Sequence, residues 1–198
     1  MRGCGWNNEK GDGFTIVEIL VVVAIIAVLS AVAVPAIVSW LPKYRLRAAV
    51  SDLHSNLQRA KQEAIRGNGE CAVYFDAANS KYQLVSGGPD GVCDGAPVGS
   101  PPVVQDDDIL LNDVTLSNYG SGVEYGSGSA RKTVPGKDIP PDVTVSYVND
   151  WVRFDSRGMA REKGYAYLTN INGTAFALGT PSWAGAIVQK RWLSRSWD

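Results

Sequence analysis

The chain has 198 residues, room for one domain and an appendage. Nineteen basic residues against twenty acidic ones leave a formal charge of −1, which argues against a nucleic-acid binder that works through bulk charge and leaves room only for a local basic patch. A hydrophobic share of 45% excludes wholesale disorder, and 21 glycines with 10 prolines forecast a loop-rich fold.

Apolar residues crowd the amino-terminal part. No residue between Ile19 and Pro42 is charged, and within Ile19–Val38 only Ser30 is polar. Twenty helical residues rise about 30 Å, the thickness of a bilayer's hydrocarbon core, so this run reads as a membrane-spanning helix. It is too long for the apolar region of a cleaved secretory signal, usually about 7–15 residues. The triplet Ala31-Val32-Ala33, which fits a signal cleavage site formally, lies inside the run. Arg2 and Lys10 precede the span while Lys43, Arg45 and Arg47 follow it, so flanking charge does not orient it. Glu18 sits at the lip of the span, where a carboxylate costs a few kcal/mol unless it finds a partner or reaches the headgroups.

Gly13-Phe14-Thr15-Ile16-Val17-Glu18-Ile19-Leu20-Val21-Val22 resembles the type IV prepilin motif of pilins and of the pseudopilins of type II secretion. The resemblance implies that a prepilin peptidase cuts between Gly13 and Phe14 and methylates the new amino terminus at Phe14. The apolar segment is then retained, and Glu18 pairs with the Phe14 amine of a neighbouring subunit in a filament core. An ammonium and a carboxylate, each costly alone in a medium of low dielectric, compensate each other only when together, so the pair sets axial register. The leader Met1–Gly13 would be lost with Cys4; its Glu9 and Asp12 offset Arg2 and Lys10, whereas leaders of this family are usually basic.

Beyond the span, Leu46, Val50, Leu53, Leu57, Ala60 and Ala64 recur at spacings of three and four, the apolar stripe of an amphipathic helix. Asp52, Ser55, Arg59, Gln62 and Glu63 fill its other faces, and His54, the only histidine, reads as a solvated surface residue. The run Gly67-Asn68-Gly69 ends the helix, with glycine supplying the left-handed cap. Phe14 to about Arg66 is thus expected as one helix, kinked or locally unwound at Pro35 and Pro42.

The remainder reads as β structure. Cys71–Asp76 and Lys81–Ser86 flank the turn Ala77-Ala78-Asn79-Ser80, and Ile109–Leu116 is a third strand. Val143–Phe154 is one long strand or a bent pair around Asn149-Asp150. Tyr165–Asn170 and Thr174–Leu178 flank Asn172-Gly173, a hairpin signal, and Ala184–Leu193 is the last strand. Gly87–Asp108 and Ser117–Asp142 are expected as loops. A helix followed by consecutive strands implies an α+β fold, with the stripe laid on an antiparallel sheet.

Leu53-His54-Ser55-Asn56-Leu57-Gln58-Arg59-Ala60-Lys61-Gln62-Glu63-Ala64-Ile65-Arg66-Gly67-Asn68 is similar to the helix end of the GspH/FimT group of minor pilins and pseudopilins. Val152-Arg153-Phe154-Asp155-Ser156-Arg157-Gly158 resembles the "F-x-x-x-G" strand-turn of that group.

Catalytic motifs are absent from the sequence: there is no Gly-x-Ser-x-Gly elbow, no Cys/His metal spacing and no phosphate-cradling glycine loop. The sequence therefore implies no enzyme and no cofactor or metal. Asp106-Asp107-Asp108 reads as a solvated acidic loop in preference to a cation site. Cys71 and Cys93 are either a disulfide, closing a loop of about twenty residues for about 3 kcal/mol, or two buried thiols. Near the carboxy terminus Lys190, Arg191 and Arg195 alternate with Trp192 and Trp197, a pattern suited to phosphate contact and base stacking. Some FimT-like minor pilins bind DNA through a basic tail; the competing reading packs these tryptophans and leaves the cations in water.

The expected layout is a cleaved leader (1–13), a transmembrane and filament-core helix (14–42), an amphipathic helix (43–67) and a β-rich globular domain (68–198). The resemblance implies a minor pilin or pseudopilin of a type II secretion pseudopilus or type IV pilus. Its expected place is the bacterial inner membrane, single-pass, with the domain in the periplasm. Its expected partners are other pilins, the prepilin peptidase and an inner-membrane assembly platform; the alternative is a FimT-like DNA binder of natural transformation.

Overall fold

The computed structural model describes residues 14–93, 107–138 and 143–198. The expected leader with Cys4 and Gly13, and Asp106, lie outside the described residues. The chain forms two compact units, one ending at Trp40 and the other running Leu41–Asp198.

One helix, α1 (Ile16–Gly67), contributes to both units. It runs through Pro35 and Pro42 without interruption, so the expected local unwinding does not occur. Each proline deletes one backbone donor but favours the helical φ, and the turns on either side keep their bonds. In the second unit the stripe Leu46, Val50, Leu53, Leu57, Ala60 and Ala64 is buried, joined by Ala49 and Asn56. The helix closes as a Schellman motif: the Gly69 N–H reaches the Ala64 carbonyl at 3.2 Å and the Asn68 N–H the Ile65 carbonyl at 3.4 Å. The left-handed residue is Asn68, at φ 49°, and not a glycine as expected. Asparagine tolerates that region, and Gly69 is needed instead for close approach, since a Cβ there would lie 2.9 Å from the Gly91 Cα.

Among the described residues eight strands follow: β1 (Cys71–Asp76), β2 (Lys81–Ser86), β3 (Ile109–Thr115), β4 (Val123–Tyr125), β5 (Trp151–Phe154), β6 (Gly164–Asn170), β7 (Ala175–Thr180) and β8 (Val188–Arg191). They form two four-stranded antiparallel sheets, ordered β3-β2-β1-β5 and β4-β6-β7-β8. The α+β class is as expected; the division of the strands into two sheets is not visible in their hydrophobic patterning.

The hairpins follow local chemistry. Asp76 accepts from the Asn79 N–H and its Nδ2 at the β1–β2 turn, with Ser80 at φ 51°. Asn170 Oδ1 accepts from the Asn172 and Thr174 N–H groups at the β6–β7 turn, where Gly173 takes φ 72°. Elsewhere tertiary contacts redraw the pattern. Leu116–Tyr119 is a 3₁₀ turn, and β4 lies within the stretch expected as loop. Val143–Phe154 is no single strand: Val145 makes one bridge to Ala166, Val148–Asp150 is a 3₁₀ turn, and only then does β5 begin. Asn149 and Asp150 both have positive φ, which ends any extended run there.

β1 is buried along its whole length because β2 and β5 flank it and both its faces are covered. Cys71, Val73 and Phe75 face the main core with the α1 stripe, Leu84, Phe154, Leu168 and Leu178, so helix and both sheets share one apolar interior. Ala72 and Tyr74 face a smaller cluster with Val85, Cys93 and Trp151. Each large aliphatic or aromatic side chain in these clusters contributes about 1.5–3 kcal/mol by burial.

Candidate assembly segment and the contacts of the globular unit

Thr15 caps α1. Its carbonyl accepts from the Ile19 N–H, and its Oγ1 accepts from the Glu18 N–H, both at 3.2 Å. Thr15-x-x-Glu18 has the spacing of a capping box, a signal present in the sequence that a reading focused on Phe14 and Glu18 passes over. Glu18 is exposed in the first turn, where the positive end of the helix dipole favours a carboxylate. Among the described residues up to Trp40 it is the only charged side chain. Phe14 is 80% exposed, and every large apolar side chain from there to Trp40 is exposed as well. Val21, Ala24, Ile25, Val28 and Leu29 line a shallow apolar groove of about 360 Å³, with Ala24 as its dent. This stretch of α1 is long and apolar enough to cross a membrane.

In the globular unit Cys71 and Cys93 are free and buried, which is the second of the two readings of the pair, buried thiols in place of a disulfide. Cys71 belongs to the main core, and Cys93 to the smaller cluster with Ala72, Tyr74, Val85 and Trp151. Burial pushes the Cys71 thiol up to about 12 and raises that of Cys93 too. The segment ending at Cys93 is tethered to Glu70, just before β1, by polar contacts. Glu70 Oε2 accepts from the Cys93 N–H at 3.4 Å, and the Glu70 N–H reaches the Gly91 carbonyl at 2.7 Å. Glu70 also pairs with Arg161 at 2.7 Å and Arg153 at 3.6 Å. Arg153 binds Glu162 at 2.7 Å and lies 4.2 Å over the Trp151 ring.

A second polar group joins α1 to the sheet. Asp52 Oδ2 accepts from the Tyr82 hydroxyl at 2.7 Å and from the Tyr119 hydroxyl. Asn56 Nδ2 donates to the same carboxylate and to Tyr82 Oη, and Asn56 Oδ1 accepts from Asn112. Burial, then donation to Asp52, raises the pKa of Tyr82 and of Tyr119. Asp52, expected only to fill a face beside the apolar stripe, is therefore an acceptor aimed at the sheet. His54 is half-buried.

The strand-turn after β5 is held by Asp155, whose Oδ1 accepts from the Arg157 and Met159 N–H groups at 2.9 Å. Phe154 is fully buried, and Gly158, at φ 75°, lets the turn approach Ile65 and Lys61 of α1.

Of the three tail cations, Lys190 and Arg195 border one cleft and Arg191 does not. Trp192 is buried, Trp197 donates its indole N–H to the Lys132 carbonyl, and the two rings meet edge to face at 5.4 Å. The tryptophans thus pack, as the competing reading of the tail held. Asp107 is exposed and Asp108 buried, and no cluster of three metal-binding side chains occurs among the described residues.

Comparison with known proteins follows this geometry. Residues 10–34 match the family model described as the prokaryotic N-terminal methylation motif. Residues 49–184 match the model described as type II transport protein GspH. No curated protein sequence matches the chain. Among solved structures, the minor pseudopilin EpsH from the type 2 secretion system of Vibrio cholerae is similar at 11% identity, with a TM-score of 0.45, over 73% of this chain and 95% of that one. The type IV minor pilin FimU of Pseudomonas aeruginosa is similar at 14% identity, with a TM-score of 0.42, over 79% and 94%. Since the GspH model spans well over half of its length, behind a pilin-type methylation motif, the chain belongs to the GspH family of pilin-like type II transport proteins.

Proposed function

We propose that this chain is a minor pseudopilin, inserted in the inner membrane with its globular unit in the periplasm and assembled through α1 into the pseudopilus of a type II secretion system. Prepilin peptidase cuts between Gly13 and Phe14 and methylates the Phe14 amine. The freed rod is then drawn from the bilayer into a bundle of like helices, where Glu18 meets the amino terminus of a neighbour.

The observation that carries this reading is the rod itself. Its large apolar side chains are all exposed, and its one charged group stands four residues from the proposed new amino terminus. Such a surface is stable only against lipid or other apolar helices, and a lone carboxylate there needs a cation. The groove at Ala24 suits close helix packing, which in lipid depends on van der Waals fit.

Mass spectrometry of the protein from its native membrane tests the processing: loss of residues 1–13 and a gain of one methyl are expected, and Gly13→Ala leaves the precursor uncut. Glu18→Leu is expected to be processed but not incorporated into filaments; normal incorporation refutes the register role. Deleting the gene should block protein export; lost twitching with intact export would assign the chain to a type IV pilus instead.

A further inference from the structure

The tail and the loop before β5 enclose a cleft that filament assembly through α1 does not use. Its larger part, about 640 Å³, is lined by Ser129, Arg131, Lys132, Trp192, Ser194 and Arg195. A neighbouring part of about 320 Å³ shares Lys132, Trp192 and Arg195 and adds Lys190. Among the described residues four cations border this space and no carboxylate does, in a chain whose total charge is −1. Among the described residues none of the four is in an ion pair. Like charges gathered without counterions over a low-dielectric floor repel one another, and a bound anion relieves that repulsion.

The walls are built in advance. The tail folds back as a hairpin in which Arg191 and Asp198 exchange backbone hydrogen bonds at 2.7 and 2.9 Å. The facing loop is held by the Ser129 N–H on the Gly173 carbonyl and the Thr133 N–H on the Lys137 carbonyl. Trp197 ties the two together through the Lys132 carbonyl. A site whose walls do not need to be ordered on binding keeps more of its contact energy as affinity.

We propose that this cleft binds an acidic peptide segment of another protein chain. Its carboxylates would pair with the Arg131 and Arg195 guanidinium groups, while Lys132 and Lys190 supply further charge and the Ser129 and Ser194 hydroxyls supply donors. The volume suits several side chains, more than a single inorganic anion needs. Nucleic acid fits less well, because non-specific single-strand binding relies on exposed aromatic faces on which bases stack. Here Trp192 is 7% exposed, and Trp197 is engaged by Trp192 and by Tyr167 at 5.6 Å. The site does not depend on processing or filament entry.

The test uses the full chain in neutral detergent, with fluorescein-labelled hexa-aspartate followed by polarisation. Saturable binding that weakens with salt is expected. Arg131→Gln and Arg195→Gln should each lower affinity about tenfold, the loss of one charge-assisted contact. Arg191→Gln, outside the cleft, should leave it unchanged. All three side chains are exposed, and equal thermal midpoints show that the variants fold. Equal loss with Arg191→Gln would reduce the effect to net charge and overturn the proposal. So would tighter binding of a labelled hexathymidylate, displacement by millimolar inorganic phosphate, or no saturable binding of hexa-aspartate.

Discussion

Cys71 and Cys93 lie on opposite faces of the sheet that has β1 at its interior, one in the main core and the other against Tyr74 and Trp151. Both are free thiols. Alkylation of the denatured chain without reductant should therefore label both thiols, and reductant should not move the thermal midpoint; a bridged 71–93 peptide would contradict this.

The same burial has a consequence at alkaline pH. The unfolded chain loses the Cys71 proton near its ordinary value of 9.0, while the folded chain holds it to about 12. The folded state thus binds more protons above pH 9, so its stability is full below that pH and declines as pH rises toward 12. Buried Tyr125 and Tyr147, also raised by desolvation, act in the same direction from their ordinary value of 10.0 upward. Urea midpoints measured from pH 8 to 11 should fall, and Cys71→Ala should flatten the first part of that fall.

Asp52 serves as acceptor for two tyrosines and an asparagine at once. Asp52→Ala strands those donors and should cost about 2–4 kcal/mol in urea unfolding. Tyr119→Phe removes one donor and leaves the carboxylate bonded to Tyr82 and Asn56, so it should cost only about 1 kcal/mol. Equal losses would show that the carboxylate is not the hub.

Arg153 and Arg66 both pair with glutamates but differ in surroundings. Arg66 is 80% exposed in its pair with Glu63, whereas Glu70 beside Arg153 is 8% exposed. Arg153→Ala leaves the largely buried Glu162 without its cation, while Glu70 keeps Arg161, and should cost about 2–3 kcal/mol. Arg66→Ala should stay within about 0.5 kcal/mol, and high salt should hardly change the contrast.

Gly158 and Gly136 share a left-handed φ, 75° and 87°, yet a Cβ at Gly136 meets nothing within 4 Å. Alanine at either position bears the backbone cost of about 1–2 kcal/mol. At Gly158 the added carbon would stand 2.8 Å from Ile65 Cδ1 and 2.9 Å from Lys61 Cε, ends of flexible side chains that can swing away, so the two variants should differ by less than about 1 kcal/mol. Thermal unfolding of the two variants measures the difference directly.

The apolar span, the stripe Leu46–Ala64, β1, β2 and the Asn172-Gly173 hairpin were legible in the sequence because each is set by neighbours along the chain. Helical period, hydrophobic run length and turn chemistry act within a few residues. So does the methylation motif, which needs no fold to be read. Long-range contact decided the rest. It selected Asn68 over its glycine neighbours as the left-handed cap, cut Val143–Phe154 short, and added β4 at Val123–Tyr125, inside a stretch whose repeated glycine and serine mark a loop. It set Cys71 and Cys93 on opposite faces, turned Asp52 toward two tyrosines, and separated Arg191 from Lys190 and Arg195. Each of these depends on which face of an element meets which neighbour, and a period in the sequence marks a face without naming what will cover it.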